Sequence, residues 1–327
     1  MLPNSQEVKY IYVGTPEFGA NVLEGLLKKD FRPVLVITNP DKPVGRKLAI
    51  TPPPVKLVAE KYKIPILQTE KIETLKNEIT NQNPDLIVVA AFGQIIPKDI
   101  LDIPKSGSIN VHPSLLPKYR GASPIQSAIL NGEKKTGVTV MLIDEKMDHG
   151  PIISQRTIVM EEKETARTLS LKLAEMGANL LSEVVPRFVK KMLIPRPQQD
   201  IDATFTKMLT KEAGRINWKK PAEEIEREIR AYSDWPGSYT FWNKKGKDIK
   251  IDILKARVQK SSQSMPYPLG KVMAMSQGEL GVQCGKMTGE AGGNVLIIEV
   301  LKMEGGKETS PEDFLNGHPD FIGAVLN

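Results

Sequence analysis

The sequence predicts an α/β protein, with an open and mostly parallel β-sheet in its first two hundred residues and a small β-barrel after them. Three observations support this prediction. Short apolar runs alternate with helical patterns up to Met192, as in repeated βαβ units. A polar segment with two prolines, at 193–200, then interrupts the alternation. Beyond it, short strand patterns separated by glycines are typical of a small barrel.

The predicted elements follow one another in a regular order. In the first part, strands are expected at 8–13, 34–38, 86–91, 108–111 and 138–143, and helices at 21–28, 55–62, 72–80 and 165–192. Pro186 interrupts the last helical pattern and predicts a kink or a restart there. In the second part, one helix is expected at 222–231 and strands at 239–242, 249–254, 281–283 and 295–300.

The composition limits the class of protein. A chain of 327 residues exceeds one ordinary core, so two domains are expected. A hydrophobic content of 40% and a charged content of 26% are those of a soluble globular protein, and no apolar run is long enough for a membrane helix. The single cysteine, Cys284, excludes an intrachain disulfide and fits the cytoplasmic location that we expect. The net charge of +6 is compatible with a nucleic-acid partner but does not establish one.

Polar residues are predicted to meet where two strands end. Asn110 and His112 alternate along one extended segment and therefore point the same way. The strand at 138–143 leads toward Asp148, and reactive groups collect past the carboxyl ends of parallel strands, so we expect the three residues to lie together there. An amide can stabilise an oxyanion, an imidazole can donate a hydrogen bond or move a proton, and a carboxylate can orient the imidazole. This trio suits attack of an amine on a carbonyl group.

The residues around the trio resemble the formyltransferase family that uses 10-formyltetrahydrofolate. From 112 the chain reads His-Pro-Ser-Leu-Leu-Pro-Lys-Tyr-Arg-Gly, and Met-Asp-His-Gly-Pro-Ile stands at 147–152. The resemblance implies a Rossmann-like formyltransferase domain with Asn110, His112 and Asp148 as its catalytic triad. It also implies 10-formyltetrahydrofolate as the formyl donor, with a folate pocket lined by Ser114, Leu115, Leu116 and Pro117.

A basic loop and the barrel indicate which acceptor the family resemblance implies. The loop at 39–54 is long, basic and rich in proline, and it is similar to the loop with which the tRNA-modifying branch grips the acceptor end of tRNA. By this resemblance Arg46, with Lys47 beside it, is the key contact, because an arginine can clamp a phosphate or stack on an unpaired base. That branch also has a C-terminal barrel that resembles an oligonucleotide-binding (OB) fold. The implied partner is initiator methionyl-tRNA.

The linker and the resemblance divide the chain into a catalytic domain at 1–192, a linker at 193–210 and an OB-like tRNA-binding domain at 211–327. No His or Cys cluster has the spacing of metal ligands, so no metal is expected, and we expect a monomer without a membrane partner. Gly14 and Gly19 lack the Gly-x-Gly-x-x-Gly spacing of a dinucleotide site, so dinucleotide binding is not expected.

Two other functions stay open at this point. A sugar-nucleotide formyltransferase would carry the same trio, but it would need a pocket for a nucleotide sugar in place of the basic loop. A non-catalytic tRNA-binding module would not require the trio, which is complete in this sequence.

Overall fold

The computed structural model describes residues 8–45, 48–260, 267–286 and 294–327. The chain divides into two compact units. Unit 1 comprises the described residues of Met1–Pro124, Lys134–Met160 and Thr168–Lys207, and unit 2 comprises those of Ile125–Glu133, Glu161–Arg167 and Met208–Asn327. The finer division at 1–192, 193–210 and 211–327 stays a prediction.

Strands and helices alternate in the first two hundred residues, which confirms the predicted α/β class. In chain order the elements are β1 (Tyr10–Gly14), α1 (Glu17–Leu27), β2 (Leu35–Thr38), β3 (Lys42–Val44), β4 (Ala49–Thr51), α2 (Pro54–Lys61), β5 (Ile66–Gln68), α3 (Lys76–Asn81), β6 (Leu86–Ala90), α4 (Lys98–Leu101), β7 (Ser108–His112), β8 (Arg120–Gly121), α5 (Pro124–Leu130), β9 (Lys135–Leu142), β10 (Ile152–Val159), α6 (Ala166–Val189) and β11 (Phe205–Thr206). The helix α6 continues through Pro186 without a restart, in contrast to one of the two outcomes predicted there.

The main sheet of unit 1 has the strand order β10-β9-β7-β6-β1-β2-β5. The five strands β7, β6, β1, β2 and β5 are parallel to one another, which confirms a mostly parallel sheet. At the β7 side of the sheet, β9 pairs antiparallel with β7, and β10 pairs antiparallel with β9. Every residue of β1 and β6 is buried, because both faces of these central strands are covered.

The chain reaches Asp148 by a route different from the predicted one, because β9 runs antiparallel to β7. Leu142 at the carboxyl end of β9 pairs with Ile109 near the start of β7, so β9 does not end at the edge where the parallel strands end. The chain turns back instead, and the N–H of Leu142 donates a hydrogen bond to the carbonyl oxygen of Pro151 at 2.9 Å. Asp148 lies on this return loop, at 143–151.

Gly14 and Gly19 have a packing role. A Cβ atom at Gly14 would lie 2.7 Å from the carbonyl oxygen of Ala90, and one at Gly19 would lie 2.5 Å from the same oxygen. The two glycines therefore let the turn from β1 into α1 pack against the end of β6, which accounts for their spacing without a nucleotide.

Unit 2 contains an antiparallel sheet that curls on itself. Its elements are α7 (Ala222–Ala231), β12 (Tyr239–Lys244), β13 (Lys247–Gln259), β14 (Val272–Ala274), β15 (Leu280–Gln283), β16 (Val295–Met303), β17 (Glu308–Thr309) and α8 (Pro311–Gly317). The strand order is β12-β13-β16-β15-β14, with β17 also on β16.

The C-terminal residues connect the two edges of this curled sheet. Phe241 of β12 and Asn327 exchange two backbone hydrogen bonds of 3.0 Å, and the N–H of Leu326 donates to the carbonyl oxygen of Gly270 at 2.9 Å. Trp242, Leu296 and other buried apolar residues fill the interior. This architecture confirms the predicted small barrel-like second part. Among the described residues, no helix is long and apolar enough to cross a membrane.

Candidate active site

Asn110 and His112 lie on β7, in the middle of the unit 1 sheet between β6 and β9. Successive side chains of a strand point to opposite faces, and the intervening Val111 is buried. His112 is only 4% exposed, whereas Asn110 is half-buried. Both polar side chains reach the same carboxylate, that of Asp148.

The carboxylate of Asp148 lies close to both of these residues. Its Oδ1 lies 3.5 Å from Nδ2 of Asn110 and 3.6 Å from Nδ1 of His112, and its Oδ2 accepts a hydrogen bond of 2.8 Å from the N–H of Gly121. Asp148 has a φ of 49°, in the left-handed region, which is uncommon for residues other than glycine and which aspartate tolerates better than most. The structure therefore brings the three predicted catalytic residues together, on a backbone that the return loop must hold in an uncommon conformation.

The imidazole of His112 is oriented by a backbone group. The carbonyl oxygen of Tyr119 lies 2.9 Å from Nε2 of His112. A carbonyl oxygen only accepts hydrogen bonds, so this contact assigns the hydrogen of the neutral ring to Nε2. Nδ1 is then the nitrogen that faces Asp148. The N–H of Tyr119 in turn donates to Oγ1 of Thr204 at 2.8 Å, which anchors the carbonyl group that orients the ring.

The predicted folate-binding residues form a tight loop after β7. The side chains of Ser114 and Leu116 are 0% and 3% exposed, whereas Leu115 and Pro117 are half-buried. Oγ1 of Thr139 donates to the carbonyl oxygen of Ser114 at 2.7 Å and accepts from the N–H of Leu116 at 3.1 Å. A ligand at this loop would meet Leu115, Pro117 or the backbone rather than the buried side chains of Ser114 and Leu116.

Gln198 is a residue of the site that the sequence analysis did not single out. Its Nε2 donates to the carbonyl oxygens of Asp148 at 2.9 Å and Gly150 at 2.8 Å, and its Oε1 accepts from Nε and Nη2 of Arg120 at 3.1 and 2.9 Å. Arg120 also pairs with Asp200 at 2.9 Å, and this hydrogen bond lowers the pKa of the Asp200 carboxyl. Gln198 stands in the predicted linker, and no local pattern indicates a contact fifty residues earlier.

A cavity of about 310 Å³ is bordered by the loop that carries Asp148. Its lining residues are Lys98, Leu101, Asp102, Ile143, Asp144, Glu145, Lys146 and His149. Nδ1 of His149 lies 2.6 Å from Oδ2 of Asp144, so the two side chains form one wall together. The volume is in the range of small-molecule sites. The walls of this cavity come from separate elements, so no local sequence pattern predicts it.

Arg46 and Lys47, the predicted tRNA contacts, lie outside the described residues. The described flanks of their loop form the antiparallel pair β3 and β4. Leu48 and Ile50 on the second flank are 70% and 68% exposed. The described part of the loop thus exposes two large apolar side chains.

The described residues contain no group of three or more His, Cys, Asp or Glu arranged to hold a metal ion. Cys284 is buried, and burial raises the pKa of its thiol to about 12. The thiol is therefore neutral at physiological pH and is not an activated nucleophile.

Two family models match the chain. The model described as formyl transferase matches residues 7–185, and the model described as formyl transferase, C-terminal domain, matches residues 208–319. Proteins named methionyl-tRNA formyltransferase from Halalkalibacterium halodurans and Caldanaerobacter subterraneus subsp. tengcongensis are 42% and 41% identical to the chain. Both similarities cover 98% of this chain, and they cover 98% and 100% of the two relatives.

Solved structures share the fold at lower identity. The N-formyltransferase from Helicobacter canadensis, in complex with folinic acid and dTDP-3-aminofucose, has a TM-score of 0.63 and 22% identity, over 89% of this chain and 98% of its own. HypX from Aquifex aeolicus in complex with tetrahydrofolic acid has a TM-score of 0.60 and 16% identity, over 96% of this chain and 48% of its own.

Proposed function

The chain belongs to the formyl transferase family, and from this membership we propose that it transfers a formyl group from 10-formyltetrahydrofolate to the α-amino group of initiator methionyl-tRNA. The product is N-formylmethionyl-tRNA, which serves translation initiation. The reaction type rests on one observation: Oδ1 of Asp148 lies within 3.6 Å of both Asn110 and His112. The acceptor rests on the similarity, over 98% of the chain, to proteins named methionyl-tRNA formyltransferase.

Asn110 stabilises the charge that develops on the formyl oxygen. The neutral α-amine attacks the formyl carbon, a new C–N bond forms, and the π electrons of the carbonyl group move to its oxygen. An α-amino group has an ordinary pKa of about 8, so its neutral form is present at physiological pH. Nδ2 of Asn110 donates a hydrogen bond to the oxyanion from a position set by β7, so little reorganisation is needed as the charge forms.

His112 and Asp148 move the proton that the amine must lose. Nδ1 of His112 faces Asp148, and the two groups form the proton-accepting side of the site. One proton leaves the amine nitrogen. The electron pair on the oxyanion then re-forms the C=O bond as the bond from N10 to the formyl carbon breaks, and N10 of the folate takes up one proton. Formylated methionyl-tRNA and tetrahydrofolate are the two products.

We place the fused ring of the folate in the cavity bordered by the return loop. Two features support this assignment: the cavity has a volume of about 310 Å³, and the loop that forms one wall also carries Asp148. Leu101 and Ile143 offer apolar contacts to a flat ring, while neighbouring carboxylates can accept from its N–H groups. In this proposal Ser114, Leu115, Leu116 and Pro117 border the donor on the side of β7.

We assign tRNA binding to the basic loop and to unit 2. Arg46 and Lys47 would contact the acceptor end of the tRNA, and residues 211–327 would form the OB-like tRNA-binding domain, joined by 193–210 to the catalytic domain at 1–192. In unit 2, the guanidinium of Arg215 lies 5.3 Å from the ring centre of Phe241, which combines a cation and an aromatic ring as RNA-binding surfaces do. We propose a cytoplasmic location, since initiator tRNA is charged and used in the cytoplasm. We also propose that the protein is a monomer.

The proposed function is tested by formyl transfer from 10-formyltetrahydrofolate to charged initiator tRNA. Charged elongator tRNA and a dTDP-linked amino sugar serve as alternative acceptors, the second because the Helicobacter canadensis structure contains one. We expect transfer to the initiator tRNA with little transfer to the other two. Efficient formylation of the amino sugar and none of the tRNA would favour the sugar-nucleotide alternative. Binding of tRNA without transfer would favour a non-catalytic module.

A further inference from the structure

Gln198 holds the backbone of the return loop on both sides of His149. Its side-chain amide donates one hydrogen bond to the carbonyl oxygen of Asp148 and another to that of Gly150. Both donors of the amide are therefore used within the segment that carries the proposed catalytic carboxylate.

Arg120 determines which way the amide of Gln198 points. Nε and Nη2 of Arg120 both donate to Oε1 of Gln198, and a guanidinium has no acceptor. The oxygen of the amide must therefore face Arg120, and its NH₂ group must face the return loop. Arg120 is itself only 3% exposed, and its charge is balanced by Asp200 at 2.9 Å. The buried Arg120 thus fixes the orientation of the Gln198 amide.

The direct contacts of the Asp148 carboxylate do not by themselves hold it firmly. Its distances to Asn110 and His112 are 3.5 and 3.6 Å, which are long for hydrogen bonds, so neither contact fixes the side chain firmly. The N–H of Gly121 holds Oδ2 at 2.8 Å, but the backbone of Asp148 is in the left-handed region, which is uncommon for residues other than glycine even though aspartate tolerates it better than most. Without a second anchor on its backbone, the loop can relax and carry the carboxylate away from its partners.

We propose that Gln198, oriented by Arg120, is a positioning residue for the formyl transfer proposed above, and that it acts by fixing the backbone of Asp148. The inference rests on the proposed function, because it assigns Asp148 a place in the reaction. A displacement of about 1 Å in a reacting group can lower a rate about 10²-fold, so loss of this anchor should be visible in kcat.

The substitution Gln198→Glu removes the hydrogen-bond donors of the side chain and keeps its acceptors. A glutamate has the same length and still accepts hydrogen bonds from Arg120, but its carboxylate cannot donate to the carbonyl oxygens of Asp148 and Gly150. Gln199→Glu is the matched control, because Gln199 is the exposed neighbour and the change in charge is identical. We expect Gln198→Glu to lower kcat about tenfold or more, with KM for methionyl-tRNA and for the folate donor changed less than about twofold. Gln199→Glu should resemble the wild type.

A double-mutant cycle tests whether Gln198 acts through Asp148. In an Asp148→Asn background, measured with enzyme in excess over charged tRNA, Gln198→Glu should lower the rate by less than about twofold, because the carboxylate that it positions is already absent. Thermal unfolding is followed for every variant. If the Gln198→Glu variant does not fold, Gln198→Met, which is uncharged and similar in length, replaces it; this change removes the acceptor for Arg120 as well as the donors, and the same loss of kcat and the same double-mutant result are expected.

Three outcomes would overturn the positioning role of Gln198, and the third of them would overturn the proposed function as well. A wild-type kcat in the folded Gln198→Glu variant shows that the donor side of Gln198 is not needed. A full additional loss in the Asp148→Asn background shows that Gln198 acts through general stability instead. A wild-type protein that does not formylate methionyl-tRNA overturns the proposed function, and the positioning role falls with it. The first two outcomes leave the proposed function intact, so the two failures are distinguishable.

Discussion

The carbonyl oxygen of Tyr119 accepts a hydrogen bond from Nε2 of His112 at 2.9 Å, and this contact determines which nitrogen of the ring faces Asp148. With Nε2 occupied by a backbone partner, Nδ1 is left to face Asp148. The tautomer is thereby set by main-chain geometry rather than by another titratable group. The proposed proton transfer therefore runs through Nδ1.

The first prediction concerns the oxyanion. We expect Asn110→Ala to fold normally and to lose about 10²-fold or more in kcat, the scale for removal of one oxyanion donor. Steady-state kinetics with charged initiator tRNA measure the loss. Asn81→Ala, at an exposed position at the end of α3, is the control for an amide removed elsewhere. Wild-type turnover in the Asn110 variant would remove this residue from the mechanism.

The second prediction concerns the basic loop. If Arg46 and Lys47 contact the acceptor end, replacing both with alanine should weaken tRNA binding and make it depend less steeply on salt, because up to two phosphate contacts are lost. Folding should change little, because the composition of the loop predicts that it faces solvent. The tRNA affinity is measured over a series of salt concentrations, and the folate affinity is measured for comparison.

A double alanine variant at Lys28 and Lys29 provides the matched control for the loop experiment. Both lysines are exposed at the end of α1, so the net charge changes by the same amount. Equal tRNA binding in the loop variant and the control would contradict the acceptor-end assignment and reopen the sugar-nucleotide alternative. A parallel loss of folate affinity in the loop variant would indicate that the loop supports the catalytic domain instead.

The third prediction concerns Cys284. Burial raises its pKa from 9.0 to about 12, which reduces the thiolate population at neutral pH on the order of 10³-fold. A thiol reagent should therefore modify the native protein far more slowly than the unfolded protein. The rate is followed at pH 8 with and without denaturant. Similar rates in the two states would show that Cys284 is accessible and ionised in the native protein.

The fourth prediction concerns Asp200. The hydrogen bond from Arg120 lowers the pKa of Asp200, so the pair contributes stability above the ordinary aspartate pKa of about 4 and loses it as the pH falls through the lower folded-state value. Asp200→Asn should therefore lower the melting temperature at pH 7, and the difference from the wild type should shrink in acid. Asp202→Asn, at an exposed site two residues later, controls for the loss of a charge. A difference that grows as the pH falls would contradict the assigned direction.

Much of the architecture follows from local sequence patterns. The alternation of apolar runs with helical patterns predicts the α/β class, because buried strands and amphipathic helices have different periods. The strand period also places Asn110 and His112 on one face of β7, since residues two apart always share a face. These features depend on residues that are close in the chain, and the structure agrees with the sequence on each of them.

The rest depends on contacts between residues that are far apart in the chain. Apolar content predicts that 138–143 forms a strand, but the direction in which β9 joins β7 follows from how its neighbours pack, so the return loop to Asp148 had no local signal. Gln198 and Arg120 are separated by 78 residues, and they meet only because the chain after α6 returns to the sheet edge. The N–H groups of a buried guanidinium need acceptors, and only the folded chain brings the side-chain oxygen of Gln198 within 3 Å of one of them.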